Sequence, residues 1–429
     1  MSDSARPATA AILTLGCKLN IADSEVIARR LREAGWKVTD RVSEDADAVV
    51  VNTCSVTSTA DQKSRHLLRV ARRGAPNATL ALTGCLLETA TPDSIGSLGA
   101  DVVRRQVDQI LLADELVALR PALPPVTSGP ERLKPALKTR AFISAQEGCN
   151  DVCAFCIIPK TRGRERSKPV EAVLAEALAR EAEGVQEIVI TGTQLGAYGR
   201  DRGHRTPFPL IKALVEETSV PRIRMSSVQP QDLSDELIDL WQNPRLCRHF
   251  HLALQSGSQA TLQRMRRRYT QAEYRSAVLR LRQAIPGVAI TTDVIVGFPG
   301  ESEDDFQESY DFCRELSFAA IHVFPYSQRP GTAAFKMPDQ VPEAIKKTRV
   351  HRLIELSKQT SLAFREGYVG AAVDVLWETQ RDAVWEGLTD TYVRVRARSD
   401  TDLTNSISTA WISEKNEDGL LAEVTCEPV

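Results

Sequence analysis

Three apolar runs of strand length open the chain, AAILTLGC, ADAVVVNTC and ATLALTGC, and each ends in a cysteine. The stretches between them switch to helical spacing. Ile27, Leu31 and Ala34 share one face at i, i+4 and i+7, with Asp23 or Ser24 placed to cap the segment and Gly35 to stop it. A second, basic helix is expected from about Asp61 to Arg73, ending at Gly74. Strand, helix and strand recur at roughly the 30-odd residues of a βαβ unit, so this part of the chain reads as a small parallel sheet with helices. Consecutive strands of such a sheet point the same way. Cys17, Cys54 and Cys85 should therefore emerge together at its carboxyl edge, where open α/β sheets hold ligands.

The pattern breaks at RPALPPVTSGPERLKP, whose Pro121, Pro124, Pro125, Pro130 and Pro135 predict an extended connector. From Arg140 it resumes. RAFISAQ, EIVITGT, RIRMSSV, HFHLALQ, AITTDVIVGF and AAIHVFPYS are strand candidates, separated by helical stretches such as VEAVLAEALAREAEG and EYRSAVLRLRQAIPG. Six β/α repeats predict an open, partial (β/α)6 barrel with its chemistry at the carboxyl ends of the strands. After a helix ending near Phe364, the runs AAVDVLWE, YVRVRAR, SISTAWIS and LLAEVTC, with turn signals such as Asp418-Gly419, predict a small antiparallel β-barrel. The expected class is thus α/β, divided into a parallel-sheet domain over 8–120, a proline-rich linker over 121–138, the partial barrel over 139–366 and the closing β-barrel over 367–429.

Composition narrows the chemistry. The 429 residues carry 54 Lys and Arg against 56 Asp and Glu, a net charge of −2, which disfavours non-specific nucleic-acid coating and leaves such a partner to local patches. A chain with 42% hydrophobic and 26% charged residues is ordinary for a globular protein, so disordered and collagen-like classes fall away. The N-terminal MSDSARPATAAILTLG lacks a basic n-region, and its apolar run is too short to span a bilayer, so a cytoplasmic protein without membrane association is expected. Disulfides are rare there, and thiols point to metal or catalysis.

Six of the nine cysteines fall into pattern. Cys149, Cys153 and Cys156, in EGCNDVCAFCIIP, bring three thiolates to one short loop after the first barrel strand. Zinc usually takes four ligands, and the next candidate in sequence is His204. Three thiolates on a four-iron cube leave one iron open to a ligand that is not protein, which is a catalytic arrangement. Cys17, Cys54 and Cys85 can converge on a second cluster. Cys247, Cys313 and Cys426 have no partners in pattern and read as buried structural residues.

The loop CNDVCAFC resembles the radical S-adenosylmethionine motif, three cysteines with an aromatic residue before the last. With the cysteine triad of a separate domain before it and a TRAM-like β-barrel after it, the chain resembles a methylthiotransferase over nearly its whole length. GCKLNIADSE, VNTCSVT, DQKSR, QEGCNDVCAFCIIPKTRGRERS, QRMRRRYT and DVIVGFPGE are most similar to the branch that modifies threonylcarbamoyladenosine in tRNA. The resemblance implies two 4Fe-4S clusters, one on Cys149, Cys153 and Cys156 and one on Cys17, Cys54 and Cys85. It implies S-adenosylmethionine on the open iron of the first, giving a 5′-deoxyadenosyl radical that removes hydrogen from C2 of adenine, with a second S-adenosylmethionine supplying the methyl of the methylthio group. Phe155 would sit against the cofactor's adenine, Thr191 and Gly192 near its methionine end, Gln255 and Ser256 near the ribose, and Asp293 to Gly297 along the adenine edge. No catalytic side chain is assigned beyond the clusters. An electron donor such as a flavodoxin or ferredoxin is implied.

An RNA partner also fits local charge. Arg162, Arg164 and Arg166 crowd the loop after the cysteines, and Arg266, Arg267 and Arg268 follow QSGS. Such groups pair with phosphate without reading sequence, so the base must be read in the pocket, as splayed anticodon-loop bases can be. Arg394, Arg396 and Arg398 alternate on one strand; by itself that is a solvated face, and an RNA partner makes Arg394 and Arg396 further contact candidates. The chain departs from its relatives in LLE after Cys85, in Gln229 where an acidic residue is common, and in TGTQ at Thr191 to Gln194. Competing readings are the same chemistry on isopentenyladenosine in tRNA or on a ribosomal-protein aspartate, and a non-catalytic iron-sulfur or zinc RNA-binding protein.

Overall fold

A computed structural model of the chain describes residues 6–105, 108–119, 139–204 and 206–425. The proline-rich connector and Cys426 lie outside the described residues. β1 (Thr9–Thr14), β2 (Lys37–Thr39), β3 (Ala48–Thr53), β4 (Thr79–Gly84) and β5 (Val102–Val103) form one parallel sheet in the order β2-β1-β3-β4-β5. Every residue of β3 is buried, because helices cover both faces. The expected crossover helices are present at Lys18–Glu33 and Ser58–Gly74. Thr57 caps the second by accepting from the Ala60 N–H at 3.1 Å. The first corrects a sequence expectation. Cys17, not Asp23 or Ser24, is its N-cap, and both polar residues lie inside the helix and are buried. They read as caps because of their type, but Ser24 Oγ accepts from Asn52 Nδ2 at 3.0 Å and Asp23 is paired with Arg162, so tertiary partners satisfy them.

The central unit runs β6 (Arg140–Glu147), β7 (Arg166–Ser167), β8 (Glu187–Gly192), β9 (Arg222–Met225), β10 (Ser227–Val228), β11 (His249–Leu252), β12 (Ala289–Val296) and β13 (Ala320–Pro325). They form two sheets, β7-β6-β8-β9 and β10-β11-β12-β13, with every pairing parallel except β6 with β7. β9 and β10 are the one predicted strand RIRMSSV, interrupted at Ser226, whose N–H bonds Ile190 O at 2.9 Å. The successive order and the helices outside make a partial barrel with one continuous core around Ile190, Met225, Phe250 and Tyr274.

β14 (Ala372–Arg381), β15 (Val384–Thr389), β16 (Arg394–Arg398), β17 (Ile407–Asn416) and β18 (Gly419–Val424) close a barrel in the order β14-β15-β16-β18-β17. Four of its five pairings are antiparallel and β16 with β18 is parallel. β15 was not foreseen. Its VWEGLT holds Gly387, where a Cβ would come within 2.5 Å of Leu376 O, so a residue that weakens the strand signal is required by close backbone approach. No helix among the described residues is long and apolar enough to cross a membrane.

The β-barrel packs on the amino ends of β6, β8 and β9. Arg222 donates to Leu388 O and Asp374 O at 2.9 and 2.7 Å, and Arg224 to Asp390 O at 2.8 Å. Arg224 and Glu187 form a bidentate pair at 2.8 and 3.0 Å with no exposed side-chain surface on either. Burial alone pushes Glu187 up, but the Arg224 charge and hydrogen bonds outweigh it and hold the carboxylate below its usual pKa. Glu187→Leu, which strands the guanidinium, is expected to cost about 3–5 kcal/mol, seen as an earlier urea transition. Because the folded pKa is depressed, the pair's contribution is complete above the unfolded glutamate value and is lost as pH falls through the folded one. Wild type should therefore lose its margin over the variant in acid, and a constant margin down to low pH would refute the assignment.

Candidate functional site

The first cysteine loop leaves β6 through Gly148, whose φ is +72° and where a Cβ would sit 2.0 Å from Arg164 O. Only glycine permits that approach. The loop is then pinned from three sides, by Cys149 N–H to Gly163 O at 3.1 Å, Ala154 N–H to Met265 O at 3.0 Å, and Ala334 N–H to Ala154 O at 2.8 Å. Cys149, Cys153 and Cys156 thereby line a cavity of about 210 Å³ at the carboxyl end of the partial barrel. Burial pushes Cys149 up to about 11 and Cys156 up to about 12, so both are thiols at neutral pH unless a metal takes the proton's place. Arg267 Nη1 donates to Cys153 Sγ at 3.1 Å and its Nη2 to Gln229 Oε1 at 2.9 Å. Gln229 Nε2 in turn donates to Asp151 Oδ2 at 3.1 Å, a contact that a carboxylate at this position would not make.

The second triad is assembled at the carboxyl edge of the first sheet. Cys17 is exposed, while Cys54 and Cys85 are buried. Asn20 ties the strand ends together by donating to Leu15 O at 2.8 Å and Thr53 O at 2.9 Å. Gly84, at φ +99°, lets Cys85 turn off β4 where a Cβ would lie 2.3 Å from Thr53 O. Burial raises Cys85 to about 12, and the neighbouring Arg162 charge pulls against it. This edge faces the central unit. Arg162, only 3% exposed at its side chain, enters from the loop after the first triad and donates to Asn20 Oδ1 at 2.7 Å and Asp23 Oδ2 at 3.3 Å. Arg329 clamps the other side through Asp61 Oδ2 and Ser55 Oγ, each at 2.8 Å.

Neither triad has the geometry of a single-ion site. Among the described residues, the one set of three ligand atoms lying within 4.8 Å of one another is His251, Asp293 and His322. Three thiols with no fourth protein ligand among the described residues suit a polynuclear centre with an open position better than one zinc ion. At the first, Gln194 Nε2 is a buried amide nitrogen on the cavity wall with no hydrogen-bond partner among the described residues, so the residues present fit a polar ligand beside a cluster.

Of the residues expected around the cofactor, Phe155, Gln255 and Asp293 line the cavity. Thr191, Gly192, Ser256 and Gly297 do not. Thr191 and Ser256 are buried beside it, Gly192 packs on Gln146, and Gly297 lies where a Cβ would meet Lys346 at 2.4 Å. The wall is formed instead by residues that include Thr193 and Gln194, just past the end of β8, and Gln229 and Arg267. Counting past the strand end finds the first two; the others come from loops that only the fold brings in.

The RNA candidates also divide. Arg164, Arg166 and Arg266 are exposed, Arg166 with Glu147 at 3.4 Å, and Arg268 is paired with Asp151 at 3.0 Å. Arg162 and Arg267 are not surface residues; each turns inward to a cysteine triad. Arg394 and Arg396 share Glu386 at 3.1 and 3.0 Å in a groove of about 990 Å³ on the β-barrel, whose unit sits at the opposite end of the partial barrel from the cysteine cavity. Cys247 and Cys313 are buried, and Cys247 lies beside Glu187.

The Radical SAM superfamily profile matches residues 143–313, and that of Uncharacterized protein family UPF0004 matches residues 9–103. Threonylcarbamoyladenosine tRNA methylthiotransferase MtaB of Bacillus subtilis is 38% identical over 93% of this chain and 92% of its own. A tRNA-2-methylthio-N(6)-dimethylallyladenosine synthase of Acidothermus cellulolyticus is also 38% identical, over 86% of this chain and 78% of its own. The radical S-adenosylmethionine methyltransferase TsrM of Kitasatospora setae shares the fold at a TM-score of 0.53 and 15% identity, over 77% of this chain and 74% of that one.

The unequal exposure of the second triad has a measurable consequence. In metal-free protein at pH 8, iodoacetamide should label Cys17 at least about tenfold faster than buried Cys85, as followed by peptide mass spectrometry. Equal rates would show that this edge is open in the metal-free chain.

Proposed function

The chain belongs to the radical S-adenosylmethionine methylthiotransferases that act on tRNA, and from that membership we propose that it adds a methylthio group to C2 of N6-threonylcarbamoyladenosine beside the anticodon. The observation that carries this reading is the pair of cysteine triads, one on a barrel loop and one on a sheet edge, facing each other across Arg162. C2–H of adenine is not acidic, so no arrangement of general acids and bases would replace it. When bound, a 4Fe-4S cluster with S-adenosylmethionine supplies radical chemistry able to break that bond, and a second cluster supplies the sulfur.

The chain's own residues hold and shield these groups. Cys149, Cys153 and Cys156 take the first cluster and Cys17, Cys54 and Cys85 the second. Arg267 stabilises the thiolate of Cys153, to which it already donates. Phe155 offers an aromatic face, and Gln194, Gln255 and Asp293 present polar groups to S-adenosylmethionine in the same cavity. Arg162 places a buried positive charge beside the second triad, where thiolates and a sulfur-bearing cluster are anionic. Arg164, Arg166 and Arg266 remain available to RNA phosphates, so binding should weaken with salt. A flavodoxin or ferredoxin is the electron donor in this reading. It divides the chain as a methylthiotransferase unit over 8–120, a linker over 121–138, the radical unit over 139–366 and a TRAM-like barrel over 367–429.

Reconstituted without oxygen, the protein should hold about eight iron atoms per chain. Replacing Cys17, Cys54 and Cys85 together by alanine should remove about half of them and leave cleavage of S-adenosylmethionine intact; full iron retention would refute the second cluster. Nucleoside mass spectrometry of tRNA from a strain lacking the protein should show loss of the methylthio form of threonylcarbamoyladenosine. Loss of the methylthio form of isopentenyladenosine instead would move the substrate to that of the Acidothermus relative.

A further inference from the structure

Below the cysteine cavity the interior of the partial barrel is polar, and one basic side chain in it, Lys18, has no hydrogen-bond or ion-pair partner among the described residues. From Asp293 on the cavity wall the lining passes to His251, whose Nε2 lies 3.2 Å from Asp293 Oδ2. Thr291 Oγ1 then lies 3.1 Å from both His251 Nδ1 and His249 Nε2. His249 stacks on Tyr392 with ring centroids 5.1 Å apart, and Lys18 Nζ stands 5.5 Å from the centroid of that same tyrosine. The other cations around Tyr392 are neutralised, Arg140 by Glu378 at 2.6 Å and Arg224 by Glu187 at 2.8 Å. Lys18, half-buried, makes no hydrogen bond or ion pair among the described residues. It directly follows Cys17, so the segment that supplies one thiol of the second triad also sends into the barrel a lysine amine with no carboxylate beside it, which burial makes harder to charge.

We propose that Lys18 binds the carboxylate of the substrate's N6 substituent. The inference rests on the substrate reading above and deepens it. On adenine, C2 and C6 flank N1, so a group on N6 stays within a few ångströms of the reacting carbon and reaches the interior next to it. A threonylcarbamoyl group ends in a carboxylate, whereas an isopentenyl group carries no charge and would seal Lys18 from water unpaired, at a cost. The base therefore enters with its charge matched to this floor, and the uncharged competitor is penalised by desolvation rather than by size. His251, Asp293 and His322 are close enough to hold a metal ion, but a dication there would share the floor with the ammonium, which an anionic substituent instead neutralises.

The test uses the reconstituted holoenzyme and three anticodon stem-loop RNAs of one sequence, carrying threonylcarbamoyladenosine, its carboxylate methyl ester, or isopentenyladenosine. Wild type is expected to show a KM at least about tenfold higher for the ester than for the acid, the loss of one buried charge-assisted contact. Lys18→Met should raise the KM for the acid by a similar factor and abolish the distinction between acid and ester, and Lys18→Arg should restore it. Equal KM values for acid and ester with wild type overturn the subsite without recourse to any variant, and this comparison decides the matter if Lys18→Met loses iron. A Lys18→Met enzyme that keeps its iron and the wild-type preference for the acid also overturns the subsite while leaving the substrate reading standing. Wild type that ignores the threonylcarbamoyl loop and modifies the isopentenyl one overturns both.

Discussion

Arg162 is a guanidinium with almost no access to water, and its hydrogen-bond acceptors lie on another part of the chain, while Glu147 of its own unit stands farther off at 3.8 Å. Asn20 and Asp23 belong to the first sheet domain, while Arg162 follows the barrel's cysteine loop. A buried charge of this kind is tolerable only while paired. The two cysteine-bearing edges are thus held face to face by the cost of parting them. Asn20 strengthens the constraint, because the same side chain that accepts from Arg162 also ties the ends of β1 and β3 where Cys17 and Cys54 emerge. Fixing the geometry within the second triad and fixing its distance from the first are therefore one problem with one solution.

The opposite end of the partial barrel follows similar physics with a different result. Arg222, Arg224 and Arg140 hold the closing β-barrel to the amino ends of β6, β8 and β9; carboxylates neutralise Arg140 and Arg224, and carbonyls satisfy the donors of Arg222. Tyr392 projects from the β-barrel into that charged floor with the Arg224 guanidinium 4.7 Å from its ring centroid. The interior is consequently closed below by one domain and faced at the side by another, and the site is a product of all three. This also separates two groups of arginines that look alike in sequence. Arg394 and Arg396 lie on the β-barrel around Glu386, whereas Arg267 reaches a cysteine of the cavity at the other end of the partial barrel.

Much of this was legible in the chain. Five of the six barrel strands and the three strands that lead to a cysteine are apolar runs whose type does not depend on their neighbours, and they form where the pattern places them; RIRMSSV alone is interrupted, at Ser226. Less legible were short or interrupted elements. β15 contains a glycine demanded by the Leu376 backbone, and a glycine reads as a break. Asp23 and Ser24 read as helix caps because unpaired polar residues favour helix ends, and nothing local announces that Arg162 and Asn52 will reach them in the helix interior. The cavity wall lies one or two residues past the expected positions, at Thr193 and Gln194 rather than Thr191 and Gly192, since strand ends are the least certain part of a pattern.

The sequence by itself determined the class of chemistry. Cysteine spacing is set by covalent connectivity, and three thiols on one loop can meet in any fold that follows, while three at successive parallel strand ends must meet if the strands pair. What the tertiary structure alone decided is the environment of each charge. Arg162, Arg166, Arg267 and Lys18 are indistinguishable as basic residues in the chain, yet Arg166 remains exposed, Arg162 joins two domains, Arg267 touches a thiol and Lys18 stands inside the barrel without an ion-pair partner among the described residues. Burial and pairing are properties of residues far apart in sequence. The energy of a charge depends on them far more than on its own identity.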